Sequence, residues 1–217
     1  MPNDVTVLIP AYNEEGRIAA VLDSVTAYGA DQVVVIDDGS TDQTVQEAEQ
    51  FPVDLIRHDS NQGKGAALNS GIHYVRQSSY WLFIDSDLIN LSTGHLSKLL
   101  NPLMEHKHLG MTVGMFTAGG KINVDLAQRY FGILNGQRGL SQFYIETLPS
   151  LSWARFGVEI FLSKFARHKN IPVDYPILEG LTHWTKEEKL GLYRGFKYRM
   201  QMYKECIYAI RHWQKHV

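Results

Sequence analysis

The sequence contains one cysteine, Cys206, among its 217 residues. A single thiol can form neither an intramolecular disulfide nor a cysteine-rich zinc site, so both kinds of site are excluded. Low cysteine usage is also typical of proteins from reducing compartments. The formal net charge is -2 at pH 7, and this near-neutral balance gives no indication of a nucleic-acid partner.

Long apolar runs are missing as well. No segment approaches the about 18 consecutive apolar residues that a membrane-spanning helix requires. Residues 1–15, MPNDVTVLIPAYNEE, lack the basic start and the apolar core of a signal peptide. We therefore expect a cytoplasmic protein, a location that still allows peripheral binding to the inner face of a membrane.

Two common nucleotide-binding motifs are absent. The segment NQGKG (61–65) is not a P-loop, which needs two glycines further apart and a lysine followed by serine or threonine. No GxGxxG motif follows an apolar run, which argues against a dinucleotide-dependent oxidoreductase. Lys64 instead predicts a glycine-containing loop at a helix start with the lysine facing phosphate, although a flexible loop would have the same composition.

Short runs rich in Val, Ile and Leu alternate with amphipathic segments of helical length. This alternation predicts an α/β fold with a mostly parallel central sheet flanked by helices. The predicted strands are 5–10, 32–37, 53–58, 80–85, 110–118 and, at an edge, 171–177. The predicted helices are 14–28, a helix capped by Ser40 and Thr41 that runs to about Gln50, 63–77, about 124–135, 155–170 and one long C-terminal helix from about Lys186 to His216.

Polar residues collect where successive strands end. In an open parallel sheet, ligands bind beyond the carboxyl ends of the strands. Four successive strands end in or run into PAYNEE, DDGST, NQGKG and DSD, which together supply acids, amides, glycines and a lysine. The DDGS segment (37–40), taken alone, is equally well explained by a turn and a helix cap. The clustering of all four segments therefore predicts one binding site better than any single motif does.

Asp85 and Asp87 follow the apolar run YWLFI. Burying carboxylates among such neighbours is costly unless a partner offsets the cost. Two carboxylates this close repel each other unless a cation or a proton lies between them. Mg²⁺ or Mn²⁺, bound by carboxylates and by substrate phosphates, meets this requirement. The alternative is a structural pair that faces backbone amides; a phosphatase-type DxDxT motif fails because position 89 is Ile.

These segments also resemble a known family. VLIPAYNEE, VVVIDDGSTDQT, NQGKGAALNSGI and WLFIDSDL look like the successive motifs of family 2 glycosyltransferases with the GT-A fold, in the same order and spacing. NGQRGLSQFYIETLP and FGVEIFLSKFARHKNIPVDYPI resemble, more loosely, the acceptor half of polyprenyl-phosphate glycosyltransferases and glucosyl-3-phosphoglycerate synthases. The resemblance implies one GT-A domain over 1–184, with a nucleotide-binding half at about 1–90 and an acceptor half at about 91–184. A C-terminal helical extension would occupy 185–217.

The resemblance also implies roles for individual residues of the first half. Residues expected to bind the nucleotide sugar are Pro10, Ala11, Tyr12, Glu14, Asp38, Lys64, Asp85 and Ser86. Among them, Asp38 would hydrogen-bond the base, Lys64 would meet the diphosphate or base region, and Asp85 would lie near the ribose. Asp87, the last residue of the DxD motif, would ligate the metal, and Ser86 is small enough for the middle position.

In the second half, the resemblance implies that Gln137 and Arg138 line the sugar and acceptor site, where Arg138 would clamp an anionic acceptor. The alternative for Arg138 is a surface salt bridge. His183 follows the last predicted strand and resembles a further metal ligand.

Glu159 lies among apolar residues in FGVEIFL. The resemblance implies that it is the base that deprotonates the acceptor. The alternative is an ion pair with Arg155 or Lys164.

The expected function is metal-dependent transfer of a sugar from a UDP- or GDP-linked donor. The first choice of acceptor is a polyprenyl phosphate or other membrane lipid, and the second is a small soluble phosphorylated acid such as a phosphoglycerate. Family 2 implies inversion at the anomeric carbon, whereas the glucosyl-3-phosphoglycerate branch retains, so the stereochemistry is left open. Two other classes remain as alternatives: a nucleotidylyltransferase, although its GxGTR loop is missing, and a non-catalytic nucleotide-sugar binding module.

The C-terminal segment has an amphipathic pattern. Apolar residues recur at steps of three and four at Tyr193, Phe196, Met200, Tyr203, Ile207 and Ile210. Residues 189–217 contain seven Lys or Arg and one acid, Glu205. This composition predicts a helix that lies on a membrane surface. Packing of the stripe on its own domain, or on a twin subunit in a homodimer, is the alternative.

Overall fold

The computed structural model describes residues 4–117 and 135–217. The strands, in chain order, are β1 (Val5–Ala11), β2 (Gln32–Asp37), β3 (Asp54–Arg57), β4 (Tyr80–Phe83), β5 (Leu88–Ile89), β6 (Met111–Val113), β7 (Met115–Thr117), β8 (Arg138–Ser141), β9 (Val173–Asp174), β10 (Ile177–Glu179) and β11 (Thr182–His183). The α-helices are α1 (Ile18–Tyr28), α2 (Thr44–Ala48), α3 (Lys64–Tyr74), α4 (Thr93–Glu105), α5 (Gln142–Thr147), α6 (Val158–His168), α7 (Lys186–Leu190) and α8 (Leu192–His212). Short 3₁₀ helices occupy Ser152–Gly157 and Trp213–His216.

Seven strands form the central sheet in the order β3-β2-β1-β4-β8-β6-β9. β1, β2, β3 and β4 run parallel, whereas β8 is antiparallel to both β4 and β6. The parallel strands are apolar because helices cover both faces of the sheet. Val7 and Ile9 pack with α1 and α4 on one face, and Leu8 packs with α3 and α6 on the other. The predicted α/β architecture is confirmed, and the carboxyl ends of β1, β2 and β4 meet at one edge.

Two small two-stranded sheets extend this edge. β5 pairs antiparallel with β11, so that His183 lies opposite Leu88, and the Trp184 amide donates to the Asp87 carbonyl at 3.1 Å. β10 pairs parallel with β7. The first of these pairs brings a segment from the end of the chain beside the DSD motif.

Several predicted boundaries need correction. Ser40 and Thr41 do not cap α2, which begins at Thr44. The Ser40 hydroxyl instead accepts a hydrogen bond from the Asn13 amide at 2.9 Å, and Asp42 Oδ1 accepts one from the Thr44 amide at 3.1 Å. The predicted strand at 171–177 is divided between β9, at the edge of the main sheet, and β10. The predicted helix at about 124–135 lies almost entirely outside the described residues.

The C-terminal segment is not one continuous helix. It is divided at Gly191 into α7 and α8 because Gly191 has φ 76° and ψ 165°, a conformation that cannot continue a helix. The Thr185 hydroxyl caps α7 by accepting a hydrogen bond from the Glu188 amide at 3.3 Å, and the Glu188 carboxylate accepts one from the Thr185 amide at 2.7 Å. This reciprocal capping box fixes the start of α7.

The apolar stripe on α8 is largely exposed rather than packed on the domain. Its six side chains are between 41% and 83% exposed. The face of α8 that turns inward is a different one: Ala209 is fully buried against Gly157, and Glu205 bonds Arg155 Nε at 3.0 Å. The alternative in which the stripe packs on its own domain is therefore wrong.

In the two stretches that the structure covers, 4–117 and 135–217, no helix combines the length and the apolar composition needed to cross a membrane.

The contact between Gly157 and Ala209 provides a test of how α8 docks. Gly157→Ala should lower the free energy of unfolding by about 1–3 kcal/mol, because its new Cβ would lie 2.3 Å from the Ala209 Cβ. Ala209→Gly alone should also destabilise, by about 1 kcal/mol, since glycine disfavours a helix interior. In the Gly157→Ala background, however, Ala209→Gly should stabilise. Chemical denaturation of the four proteins measures this change of sign, and additive destabilisation would contradict the docking.

Candidate functional site

A cavity of about 630 Å³ opens at the carboxyl ends of β1, β2 and β4. Every predicted site residue except Arg138 lines it: Pro10, Ala11, Tyr12, Glu14, Asp38, Lys64, Asp85, Ser86, Asp87, Gln137, Glu159 and His183. They come from both predicted halves of the domain. The fold therefore brings into one cavity residues that are up to 173 positions apart, as between Pro10 and His183.

Lys64 is the central cation of the inner part of this cavity. Its Nζ donates to Glu159 Oε1 at 2.6 Å and also to Asp85 Oδ1. Lys64 is the first residue of α3 and Glu159 lies in the first turn of α6, so two helix starts converge on the end of β4. A Cβ atom at position 136 would lie 2.4 Å from the Asp85 carboxylate and 2.6 Å from Lys64 Nζ. Because these distances are too short for any side chain, the backbone next to this ion pair requires Gly136.

The charges of this cluster stabilise one another. Burial alone would lower the pKa of Lys64, but the Asp85 and Glu159 carboxylates outweigh it and hold that pKa above its ordinary value. Burial alone would raise the pKa of Asp85, but Lys64, together with a hydrogen bond from Gln137, holds it below its ordinary value. Near neutral pH, Lys64 is therefore an ammonium and Asp85 a carboxylate.

Gln137 orients Asp85. Its Nε2 donates to Asp85 Oδ2 at 2.8 Å, and its Oε1 accepts the Asp85 amide at 2.9 Å. The side chain is thereby fixed at both ends, and Gln137 is 2% exposed. Gln137 therefore lines the cavity as the residue that holds Asp85 in place.

Arg138 requires a correction. It is 1% exposed, so the alternative of a surface salt bridge is wrong, whereas the predicted clamp on an anionic acceptor stays a prediction. Its guanidinium donates to the carbonyls of Glu159 at 2.9 Å and Asn135 at 3.1 Å, and to Ser163 Oγ at 3.1 Å. These bonds attach α6 to β8, and burial lowers the pKa of the guanidinium. Arg138 thus positions the backbone of Glu159.

A second cation lies at the outer part of the cavity. Lys189 Nζ, from α7, donates to Asp87 Oδ2 at 2.5 Å and to Glu14 Oε1 at 2.6 Å. Its side chain is 5% exposed, compared with 15% for Asp87 and 8% for Glu14. Sequence reasoning missed Lys189. The available signal is the excess of basic residues in the C-terminal segment, which by itself also fits a membrane-surface helix.

The residues around Asp87 have the donor chemistry of a site for a hard divalent ion. Asp87 and Glu14 direct carboxylate oxygens at one point that a cation, the Lys189 ammonium, already occupies. His183 lines the same cavity, and its electrostatic interaction with Asp85 helps to hold the pKa of that carboxyl below its ordinary value. Among residues 4–117 and 135–217, no three His, Cys, Asp or Glu side chains are arranged as a complete ligand set. Mg²⁺ typically has few protein ligands, with water and phosphate oxygens completing its coordination, so the residues fit such an ion.

Asp38 holds the NQGKG loop. Its Oδ1 accepts the Gln62 amide at 2.9 Å and meets His58 Nδ1 at 2.8 Å, and its Oδ2 accepts the Gly63 amide at 2.7 Å. A carboxylate offers about four acceptor positions. About one therefore remains for a ligand, which is compatible with the predicted bond to a base. His58 was not predicted, and its Nε2 lies 2.9 Å from Ser70 Oγ.

Other parts of the C-terminal segment close the cavity. Tyr198, Arg199, Met202 and Tyr203 of α8 line it together with Thr185 and Glu187. Arg199 pairs with Glu187. Burial raises the pKa of Tyr198 above its ordinary value. The helical extension thus forms one wall of the site.

Comparison with solved structures supports the same architecture. A structure of glucosyl-3-phosphoglycerate synthase from Mycobacterium tuberculosis, in complex with Mn²⁺, UDP and glucosyl-3-phosphoglycerate, superposes with a TM-score of 0.78. The match covers 97% of this chain and 79% of that one at 23% identity. At this identity the likeness establishes the fold, and it confirms the expected GT-A architecture.

Two proteins illustrate the sequence similarity of this chain to known proteins. An uncharacterized protein of Methanocaldococcus jannaschii is 38% identical over 198 residues, which is 85% of this chain and 74% of that protein. The dolichyl-phosphate beta-glucosyltransferase of Saccharomyces cerevisiae is 37% identical over 99 residues, which is 38% of this chain. That match spans 29% of the yeast enzyme, so the matched segment corresponds to under one third of that relative's length.

The glycosyl transferase family 2 model matches residues 6–154, the segment that contributes β1, β2, β4 and both aspartates of the DSD motif. Since this match extends over well more than half of the 217 residues, the chain belongs to glycosyl transferase family 2.

Proposed function

We propose that the protein is a glycosyltransferase that moves a sugar from a nucleoside-diphosphate donor, UDP- or GDP-linked, to a phosphorylated acceptor with the help of Mg²⁺ or Mn²⁺. The observation that carries this proposal is the presence, in one cavity, of two carboxylate pairs that each enclose a cation. Lys64 lies between Asp85 and Glu159, and Lys189 lies between Glu14 and Asp87. Such an arrangement suits a ligand with a divalent ion and a charged leaving group.

Asp87 would hold the ion, with His183 as a further ligand. When bound, the ion supplies a Lewis acid that offsets charge on the leaving diphosphate. Pro10, Ala11 and Tyr12 would surround the base and ribose. The complexes of the mycobacterial glucosyl-3-phosphoglycerate synthase with Mn²⁺ and UDP support this assignment of ion and donor.

Lys64 and Glu159 would act at the reacting centre. The Lys64 ammonium would stabilise negative charge that develops on the diphosphate as the glycosidic bond breaks. Glu159 would accept a proton from an acceptor hydroxyl. A phosphate monoester loses its second proton near pH 6 and needs no such base at neutral pH. The importance of Glu159 therefore depends on whether the nucleophile is a hydroxyl or a phosphate oxygen.

For the acceptor, we favour a lipid phosphate and keep a small phosphorylated acid as the second candidate. The similarity to dolichyl-phosphate glucosyltransferase supports the first. The fold shared with an enzyme that binds glucosyl-3-phosphoglycerate supports the second, as does the nearly buried Glu159.

The outward face of α8 also favours a lipid acceptor. Lys197, Lys204 and Arg211 are exposed and recur every seven residues, so they form a line along one edge of the apolar stripe. Glu205, the one acid in 189–217, faces inward to Arg155. Two copies that met through this face would bring like charges together, whereas an anionic lipid surface complements them. We therefore infer that α8 rests on an anionic membrane surface, beside the mouth of the cavity.

A first test removes the proposed metal ligand. Asp87→Asn should abolish turnover and remove the dependence of UDP or GDP binding on Mn²⁺, because an amide binds a divalent ion far more weakly than a carboxylate. Isothermal titration with and without Mn²⁺ measures this dependence. Asp31→Asn, an equal change of charge at the opposite end of the sheet, is the control and should behave as wild type. An Asp87→Asn protein with unchanged metal dependence would refute the assignment.

Glu159→Gln should separate the two acceptor classes. With a hydroxyl acceptor such as a phosphoglycerate, the transfer rate should fall by roughly 10²- to 10⁴-fold while donor binding is retained. With a polyprenyl phosphate at neutral pH, the loss should be much smaller. Single-turnover rates with both acceptors provide the comparison. Full activity of the variant with the hydroxyl acceptor would remove the base role, and loss of folding would favour the structural ion pair with Lys64.

The membrane surface can be tested with a matched pair of variants. Ile207 on the stripe is 48% exposed and Ile177 on β10 is 51% exposed. Ile207→Ser should weaken co-sedimentation with vesicles of anionic phospholipid, because it removes apolar area from the lipid-facing side. Ile177→Ser should leave it unchanged. High salt should also weaken binding, through screening of the basic line. Equal binding of both variants, or no binding by the wild type, would favour a soluble acceptor.

Two other classes of function make different predictions. A nucleotidylyltransferase would release pyrophosphate from a nucleoside triphosphate and a sugar phosphate, and a binding module would bind donor without hydrolysis or transfer.

A thermal-shift screen of nucleotide sugars with Mn²⁺ identifies the donor first, because a ligand that binds only the folded state raises the melting temperature.

A further inference from the structure

The proposed reaction assigns no role to Lys189, although this residue lies in the site. Its ammonium lies between Asp87, the proposed metal ligand, and Glu14, a proposed nucleotide-binding residue, at 2.5 and 2.6 Å. The side chain is 5% exposed, so this ion pair is almost entirely removed from water. A lysine 102 positions away from Asp87 has thus been brought to the point where the carboxylates converge.

The backbone around Lys189 is held in several places. β11, which ends shortly before α7, pairs with β5. The Trp184 amide donates a hydrogen bond to the Asp87 carbonyl, and the capping box of Thr185 and Glu188 fixes the start of α7. The segment is therefore attached to the DSD motif itself. A four-carbon lysine side chain can change rotamer without movement of the helix that carries it, so vacating the point between Asp87 and Glu14 requires no movement of α7.

We propose that the Lys189 ammonium occupies the divalent-ion position in the ligand-free protein, and that it then binds the donor diphosphate once the ion has displaced it. This inference rests on the proposed function, since it assigns Asp87 to the metal. Two cations cannot share one point, so Lys189 and the ion compete for Asp87. In the absence of any ion, Lys189 relieves the repulsion between two nearly buried carboxylates.

The displaced ammonium needs a new partner. A charge that stays nearly buried without a counter-charge is costly. A diphosphate bound to the ion would lie next to the displaced Lys189 and would supply anionic oxygens. Lys189 would therefore weaken the binding of the ion alone and strengthen the binding of nucleotide in the presence of the ion. This pair of opposite effects distinguishes the proposal from a merely structural role.

The test is Lys189→Met, which keeps the apolar stem and removes the charge. Electron paramagnetic resonance of Mn²⁺ without nucleotide should show affinity that is about tenfold higher than in the wild type. Titration of UDP or GDP at saturating Mn²⁺ should show affinity that is about tenfold lower. Mn²⁺ alone should also raise the melting temperature of Lys189→Met more than that of the wild type.

Two further variants complete the design. Lys98→Met, an exposed lysine on α4, should match the wild type in both titrations. Lys189→Gln, which retains a hydrogen-bond donor for the carboxylates, replaces Lys189→Met if the latter does not fold, and should shift both affinities in the same directions. Unchanged Mn²⁺ affinity in the neutral variants, or a change of both affinities in the same direction, would overturn the inference.

The Asp87→Asn protein separates this inference from the proposed function. If Mn²⁺ binds the wild type and Lys189→Met equally, and Asp87→Asn abolishes both, the metal site is supported and the role of Lys189 fails. If Mn²⁺ binding is independent of Asp87, the proposed metal site fails and the inference about Lys189 fails with it.

Discussion

Carboxylates at the carboxyl end of β4 need cations, and much of the site is organised around that requirement. Asp85 follows the buried end of β4 and Ile84, where residues 81–84 are at most 2% exposed, and Asp87 precedes the buried Leu88. The cost of removing such charges from water is offset here by close ammonium groups. One cation comes from the start of α3 and the other from α7, so distant parts of the chain are drawn to the same edge of the sheet.

This requirement connects folding with ligand binding. In the ligand-free protein, the ion pairs of Lys64 and Lys189 keep the acidic residues of the cavity compensated. A nucleotide sugar with a divalent ion would replace part of that compensation with its own charges. The hydrogen bonds that hold the acids in place would persist during this exchange. They include the two between Gln137 and Asp85 and those that Arg138 donates to α6.

The two faces of α8 have different chemistry. The inward face carries small and polar residues, among them Ala209 and Glu205, and forms a wall of the cavity through Tyr198 and Met202. The outward face carries large apolar residues bordered by basic ones. A helix with this division can close a nucleotide-sugar site on one side and meet a lipid surface on the other, which would bring a membrane acceptor close to the proposed donor.

The sequence by itself determined the parallel strands β1, β2 and β4, since each is a mainly apolar run, and the polar segments at their ends, since those residues break the runs. It could also suggest the family, because the motifs are local and ordered. Only the tertiary structure decided which partners those residues have. Arg138, for which a surface salt bridge was the alternative, is buried beneath α6. Ser40 looked like a helix cap but accepts the Asn13 amide, and Lys189 looked like a surface cation but compensates Asp87. The physical reason is that periodicity reports which side of a local element is apolar, whereas the partner of a charge is set by distances between residues that are far apart in the chain.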